Sequence, residues 1–64
     1  MPMTPKEMLK YLKKNGFVIE RQRGSHIFLV NNKTDRKTTV AYHNKGLRKG
    51  TEQQILKDAG LKQP

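Results

Sequence analysis

The chain has 64 residues and no cysteine, so it can form one small domain that depends on packing and backbone hydrogen bonds rather than on disulfides or thiolate-bound zinc. Fourteen Lys and Arg against five Asp and Glu give a net charge of +9. This charge favours a polyanion such as nucleic acid, with an acidic protein or an anionic membrane surface as alternatives. Because no apolar run approaches the roughly 20 residues of a membrane span and no signal peptide is apparent, we expect a cytoplasmic protein without a membrane partner.

The first predicted element is a helix over residues 5–14. Thr4 and Glu7 have the spacing of a capping box, and Pro5 falls at the first helical position, where its missing N–H does no harm. Apolar residues recur at helical spacing on one side: Met8, Leu9 and Leu12. Gly16 can take a positive φ and end the helix.

Three strands are expected next, over residues 17–23, 26–30 and 37–42. In each strand, alternation places a group of residues on one face. These groups are Phe17 and Ile19 in the first strand, Ile27 and Leu29 in the second, and Thr38, Val40 and Tyr42 in the third. The connections are too short for crossovers, so the strands should form an antiparallel meander. Tyr42 is interpreted either as a partly buried core residue or as a surface on which a base could stack.

A second helix is predicted over residues 52–59. Thr51 and Gln54 have the spacing of another capping box, and Gly60 should end the helix with Leu61 packing back. The inward residues should be Ile55, Leu56 and Ala59. The fold class is therefore α+β, a single domain over residues 1–64 in the order α-β-β-β-α, with both helices on one face of the sheet. Double-stranded-RNA-binding domains (dsRBDs) have the same order.

The segment Gly24-Ser25-His26 is the first candidate for chemistry. A histidine can accept and donate protons near neutral pH. Cleavage of RNA without a metal needs this, because the 2′-hydroxyl must lose a proton and the leaving 5′-oxygen must gain one. Gly24 would let the backbone approach a phosphate closely, and Ser25 would add a hydroxyl donor. The alternative is a surface histidine beside a turn.

A basic set around the later loops is the second candidate, since no acid occurs between Asp35 and Glu52. Its members are Arg36, Lys37, Lys45, Arg48 and Lys49, with Arg21 and Arg23 leading into the Gly24 turn. Such residues could bind phosphates and stabilise charge growing on them. The alternative is a solvated rim. The segment Gly50-Thr51 could hold an anion at a helix start, but ordinary capping by Thr51 is the favoured interpretation.

His43 is either a second proton donor or a loop residue. Together with His26 it does not fill a metal coordination shell, because no carboxylates accompany the pair. We therefore expect no metal and no cofactor.

Five stretches of this sequence resemble the HicA family of toxins from type II toxin–antitoxin systems, in the same order and spacing. They are Leu12 to Phe17, Arg23 to His26, Thr39-Val40, Lys49 to Thr51 and Ile55 to Leu61. Each is short, but together they span most of the chain.

The resemblance implies a dsRBD-like fold and an mRNA interferase, which is a metal-independent endoribonuclease acting in stress responses. His26 would be the catalytic residue. It also implies a HicB-like antitoxin that covers the active face, with operator DNA bound only through the antitoxin complex. With the basic set, the predicted substrate-binding residues are Gly24, Ser25, Arg23, Lys45 and Lys49, and His43 is a candidate second proton donor.

One departure concerns the segment after the third strand. Family members often have proline-x-histidine there, whereas this chain reads Ala41-Tyr42-His43. Loss of the fixed proline φ loosens the expected placement of His43. Two other functions fit the charge and the order of elements: a non-catalytic double-stranded-RNA-binding module, and an interaction protein for an acidic partner.

Overall fold

A computed structural model describes residues 3–42 and 46–62 of the chain. The elements are α1 (Pro5–Lys14), β1 (Val18–Arg23), β2 (His26–Asn31), β3 (Arg36–Ala41) and α2 (Lys49–Ala59). The strands form one antiparallel sheet in the order β1-β2-β3, which confirms the predicted α-β-β-β-α fold. Within the described ranges, neither helix has the length and apolar character needed to cross a membrane.

Helix α1 begins and ends where its local sequence predicts. The Glu7 backbone N–H donates to the Thr4 hydroxyl at 3.2 Å, and the Glu7 carboxylate accepts from the Thr4 N–H at 2.9 Å. Gly16 has a φ of +94° just after the helix. The N–H of Phe17 then donates to the Leu12 carbonyl at 3.0 Å, and this reversal turns the Phe17 ring into the core.

Alternating burial along β2 defines the two faces of the sheet. Ile27 and Leu29 are buried on the face that the helices cover, whereas His26 is exposed and Phe28 is half-buried on the opposite face. We call the latter the open face. The helix-covered face packs into a core formed by Met8, Leu12, Phe17, Ile27, Leu29, Val40, Leu47, Ile55, Leu56 and Ala59.

A β-bulge interrupts the pairing of β1 with β2. Ile19 lies opposite Leu29, but the next pair is Arg21 with Phe28, so Glu20 is the extra residue. Because a bulge inserts one residue into a two-residue repeat, the faces of the residues after it are reversed. Arg21 therefore lies on the open face, where strict alternation from Phe17 would have placed it against the helices.

Two residues that alternation groups with inward-facing neighbours are largely exposed. Ile19 is 43% exposed and Tyr42 is 42% exposed. All six residues of β1 are exposed, because the helices pack mainly against the other strands and leave β1 overhanging. Tyr42 follows the end of β3, and its N–H donates to the Ser25 carbonyl at 2.6 Å.

The predicted start of α2 is wrong, since the helix begins at Lys49 rather than at residue 52. Arg48 is the N-cap and makes no side-chain capping hydrogen bond, so Thr51 is not the cap. The cause is non-local. Glu52 is buried, and its carboxylate accepts a hydrogen bond from the Met3 N–H, while the Leu47 N–H donates to the Met3 carbonyl at 2.9 Å.

The end of α2 agrees with the prediction. Gly60 has a φ of +71°, and the Leu61 N–H donates to the Leu56 carbonyl at 2.9 Å. The Arg36 side chain lies over Gly60, so closely that a Cβ there would come within 2.5 Å of the Arg36 Nε. The first residue of β3 is thereby packed against the C-terminal end of α2.

We predict that Thr4→Ala lowers the free energy of unfolding by about 1 kcal/mol, because α1 loses its N-cap. Thr51→Ala is the matched control: it removes a threonine that was predicted to cap α2 but does not, and it should change stability by no more than about 0.5 kcal/mol. Urea unfolding followed by circular dichroism measures both. Equal losses would contradict the assignment of the two caps.

The same capping box predicts a dependence of stability on pH. Hydrogen bonds from Thr4, first from its backbone and then from its side chain, hold the pKa of the Glu7 carboxyl below its ordinary value of 4.5. The charged carboxylate therefore favours the folded state above about pH 4.5, and this contribution is lost as the pH falls through the lowered pKa. The difference in unfolding free energy between wild type and Glu7→Gln should shrink in acid. A constant difference would contradict this.

Candidate nucleic-acid interface

The β1–β2 turn holds the Gly24-Ser25-His26 segment at one end of the sheet. Gly24 has a φ of +59°, and apart from its two chain neighbours no described residue has an atom within 4 Å of the position of a Cβ. The Gln22 amide donates to the Gly24 carbonyl at 3.0 Å, and the Ser25 carbonyl accepts the Tyr42 N–H. The turn is therefore held by a hydrogen bond from β1 and by another from the residue that follows β3, and Gly24 is exposed.

His26 is the first residue of β2 and is exposed on the open face. Its cross-strand neighbours in the register are Arg23 on β1 and Ala41 on β3. Paired residues in an antiparallel sheet point to the same side, so Arg23 and His26 are brought together there. The imidazole is accessible to a large ligand.

Three cations share the open face with this histidine, and the bulge in β1 places two of them there. Arg21 and Arg23 lie opposite Phe28 and His26, and Lys37 lies opposite Val30 on the other side of β2. All three cations are exposed. The open face therefore carries positive charge around one imidazole, a field suited to a polyanion.

Other predicted site residues lie elsewhere. Lys49 begins α2, on the helix-covered side of the sheet, and is exposed. Lys45 and His43 fall outside the described residues. Arg36 lies against Gly60 rather than on the open face. Of the predicted set, the structure thus brings together Arg23, Gly24, Ser25 and His26.

A groove of about 380 Å³ borders the sheet and α2, and His26 does not line it. Small-molecule sites are usually concave and enclose most of their ligand, whereas His26 stands on an exposed strand. The position suits a polymer that lies across the surface. In the described part of the chain, no group of three or more His, Cys, Asp or Glu is placed to hold a metal ion.

Comparison with models of protein families matches residues 5–61 to the family described as "HicA toxin of bacterial toxin-antitoxin". The match extends from the first residue of α1 to the residue after Gly60, and so covers every element of the fold. This chain belongs to the HicA toxin family. As a HicA toxin it has a cognate antitoxin as partner. Comparison with curated proteins finds no match.

Sequence reasoning gave no role to one aromatic residue of this HicA toxin. The guanidinium carbon of Arg21 lies 4.6 Å from the centroid of the Phe28 ring, in a cation–π contact. Because Ile27 and Leu29 share the covered face, alternation in β2 puts Phe28 on the open face with His26. The contact with Arg21 was not predictable, because it depends on the bulge at Glu20.

The positive φ of Gly24 predicts a cost for any side chain there. Gly24→Ala should destabilise the fold by roughly 1–2 kcal/mol, because a residue with a Cβ is strained in the left-handed region. Gly50→Ala is the matched control: Gly50 lies in α2 with open space around its Cβ position, so alanine should be neutral or stabilise by up to about 1 kcal/mol. Urea denaturation measures the free energy of unfolding of both variants, and only Gly24→Ala should lower it. Equal losses would contradict the left-handed conformation assigned to Gly24.

Proposed function

We propose that this HicA toxin is an endoribonuclease that cleaves mRNA without a metal and uses His26 as its catalytic residue. The observation that supports this most directly is the exposed imidazole at a fixed glycine turn, with Arg23 beside it on a cationic strand face. Membership of the toxin family makes such an activity the expected one.

The reaction follows from the chemistry of the ribose. The 2′-oxygen forms a bond to the adjacent phosphorus while the bond from phosphorus to the 5′-oxygen breaks. His26 accepts the 2′-hydroxyl proton or delivers the proton that the 5′-oxygen gains, and His43 is the candidate for the second transfer. The products are a 2′,3′-cyclic phosphate and a 5′-hydroxyl. Positioned proton transfer of this kind contributes typically 10²–10⁴-fold.

The remaining proposed residues hold the RNA backbone. Gly24 lets the RNA backbone approach the turn closely, and the Ser25 hydroxyl can donate to a phosphate oxygen. Arg23 contributes positive charge for a phosphate beside His26. Lys45 is also proposed to bind a phosphate, whereas Lys49 would contribute only to RNA that extends beyond the open face. Charge developing on the phosphate is stabilised by a guanidinium fixed next to it.

The antitoxin is proposed to be HicB-like and to cover the open face, so that RNA and antitoxin compete for it. Operator DNA would then be contacted only through the toxin–antitoxin complex. A protein that covers this face neutralises the toxin by denying RNA access to His26.

His26→Ala should reduce RNA cleavage by at least about 100-fold, the lower limit of a proton-transfer contribution, without loss of stability, because the side chain is exposed. The matched control is Asn32→Ala, an exposed residue beyond the far end of β2, which should cleave at the wild-type rate. Gel analysis of a purified protein with a labelled RNA measures both. Cleavage by His26→Ala at the wild-type rate would overturn the proposal.

The attacking group can be tested separately. A substrate with 2′-deoxyribose at the cleaved position should resist the toxin, because it lacks the nucleophile, and EDTA should leave cleavage of the all-ribose strand intact. Cleavage of the deoxy substrate would point to an attacking water instead. Binding of paired RNA without any cleavage would support a non-catalytic double-stranded-RNA-binding module.

A further inference from the structure

The Arg21–Phe28 pair is the most specific feature of the open face outside the His26 turn. Arg21 is exposed, Phe28 is half-buried, and the guanidinium lies over the ring at 4.6 Å. Thr39 is opposite Phe28 on β3 and is also exposed. One cross-strand row thus offers a cation, a planar apolar surface and a hydroxyl.

Stabilisation of the fold does not account for this row. An exposed cation–π pair contributes only about 0.5–1 kcal/mol. Within the described residues, Arg21 forms no ion pair with a carboxylate, so its N–H donors remain available to a ligand. The Phe28 ring holds the Arg21 guanidinium against the sheet, and the outer side of the guanidinium faces solvent.

We propose that the Arg21–Phe28 pair is a seat on which an unpaired nucleobase of the RNA stacks. Arginine planes and aromatic rings both stack on exposed bases, and a base has a planar face whatever its identity. Inside a duplex these faces are occupied by neighbouring base pairs. The seat therefore selects single-stranded RNA over double-stranded RNA, with little preference for sequence.

The seat lies close to the cleavage centre. Phe28 is two residues from His26 on the same face of β2, which corresponds to about 6.6 Å along a strand. This separation suits a base in the nucleotide next to the broken bond. The inference rests on the proposed function, because it names the class of RNA that His26 would cut.

Binding measurements in a His26→Ala background test the seat without cleavage of the probe. The probes are a short unstructured single-stranded RNA, the same RNA annealed to its complement, and inorganic polyphosphate, a polyanion without bases. Arg21→Lys keeps the charge and removes the plane, and Phe28→Leu keeps apolar bulk and removes the ring. Lys57→Gln removes an exposed charge from α2 and measures the effect of charge alone.

Arg21→Lys and Phe28→Leu should each weaken single-stranded RNA binding by at least about 5-fold, since stacking contributes about 1–3 kcal/mol per base. Their affinity for polyphosphate should change no more than that of Lys57→Gln. Phe28→Tyr keeps the ring and should bind RNA like the parent, so the test survives if Phe28→Leu fails to fold.

Unchanged binding of single-stranded RNA by Arg21→Lys and Phe28→Leu would overturn the proposal that a base stacks on this pair. Equal losses for RNA and polyphosphate would do so too, because they would indicate electrostatics alone. Tighter binding of the duplex would also contradict it. These failures are distinct from failure of the proposed function: cleavage by His26→Ala overturns the ribonuclease mechanism, whereas normal binding by the seat variants overturns only the stacking.

Discussion

Burial of Ile27 and Leu29 decides what the open face contains. Successive residues of a strand point to opposite sides of a sheet, so packing these two under the helices forces His26 and Phe28 outward. The His26 imidazole is therefore exposed because its neighbours in the strand pack into the core. Two helices of 10 and 11 residues cover one face of three strands, and the other face is left for ligands.

The bulge at Glu20 supplies what alternation alone would not. It reverses the faces of Arg21 and Arg23, which would otherwise lie on the same side of the sheet as the helices. Instead they share the open face with His26 and Lys37. Like charges so placed repel one another in the free protein, and an anionic ligand relieves this repulsion. Binding and local electrostatic stability are thus coupled on this face.

Local signals predicted the parts of the fold that are held by local contacts. The capping box at Thr4 fixed the bounds of α1, and Gly60 fixed the end of α2. The start of α2 could not be read in this way, because it depends on Glu52 contacting Met3, 49 residues away. Alternation placed His26 correctly on an accessible strand, but the Arg21–Phe28 contact crosses a bulge whose position no residue type specifies. Alternation left Tyr42 open between core and surface, and it is exposed one residue beyond the end of β3.

Strand β1 is an edge strand, and its outer side pairs with no other strand of the sheet formed by the described residues. A flat edge of this kind can pair with the edge of another molecule and extend the sheet from chain to chain. The extra residue at Glu20 breaks the regular repeat that such pairing requires, and the charges of Glu20, Arg21 and Arg23 oppose a second copy of the same strand. The irregularity that places Arg21 and Arg23 on the open face thus also interrupts the regular edge through which this overhanging strand could pair with another molecule.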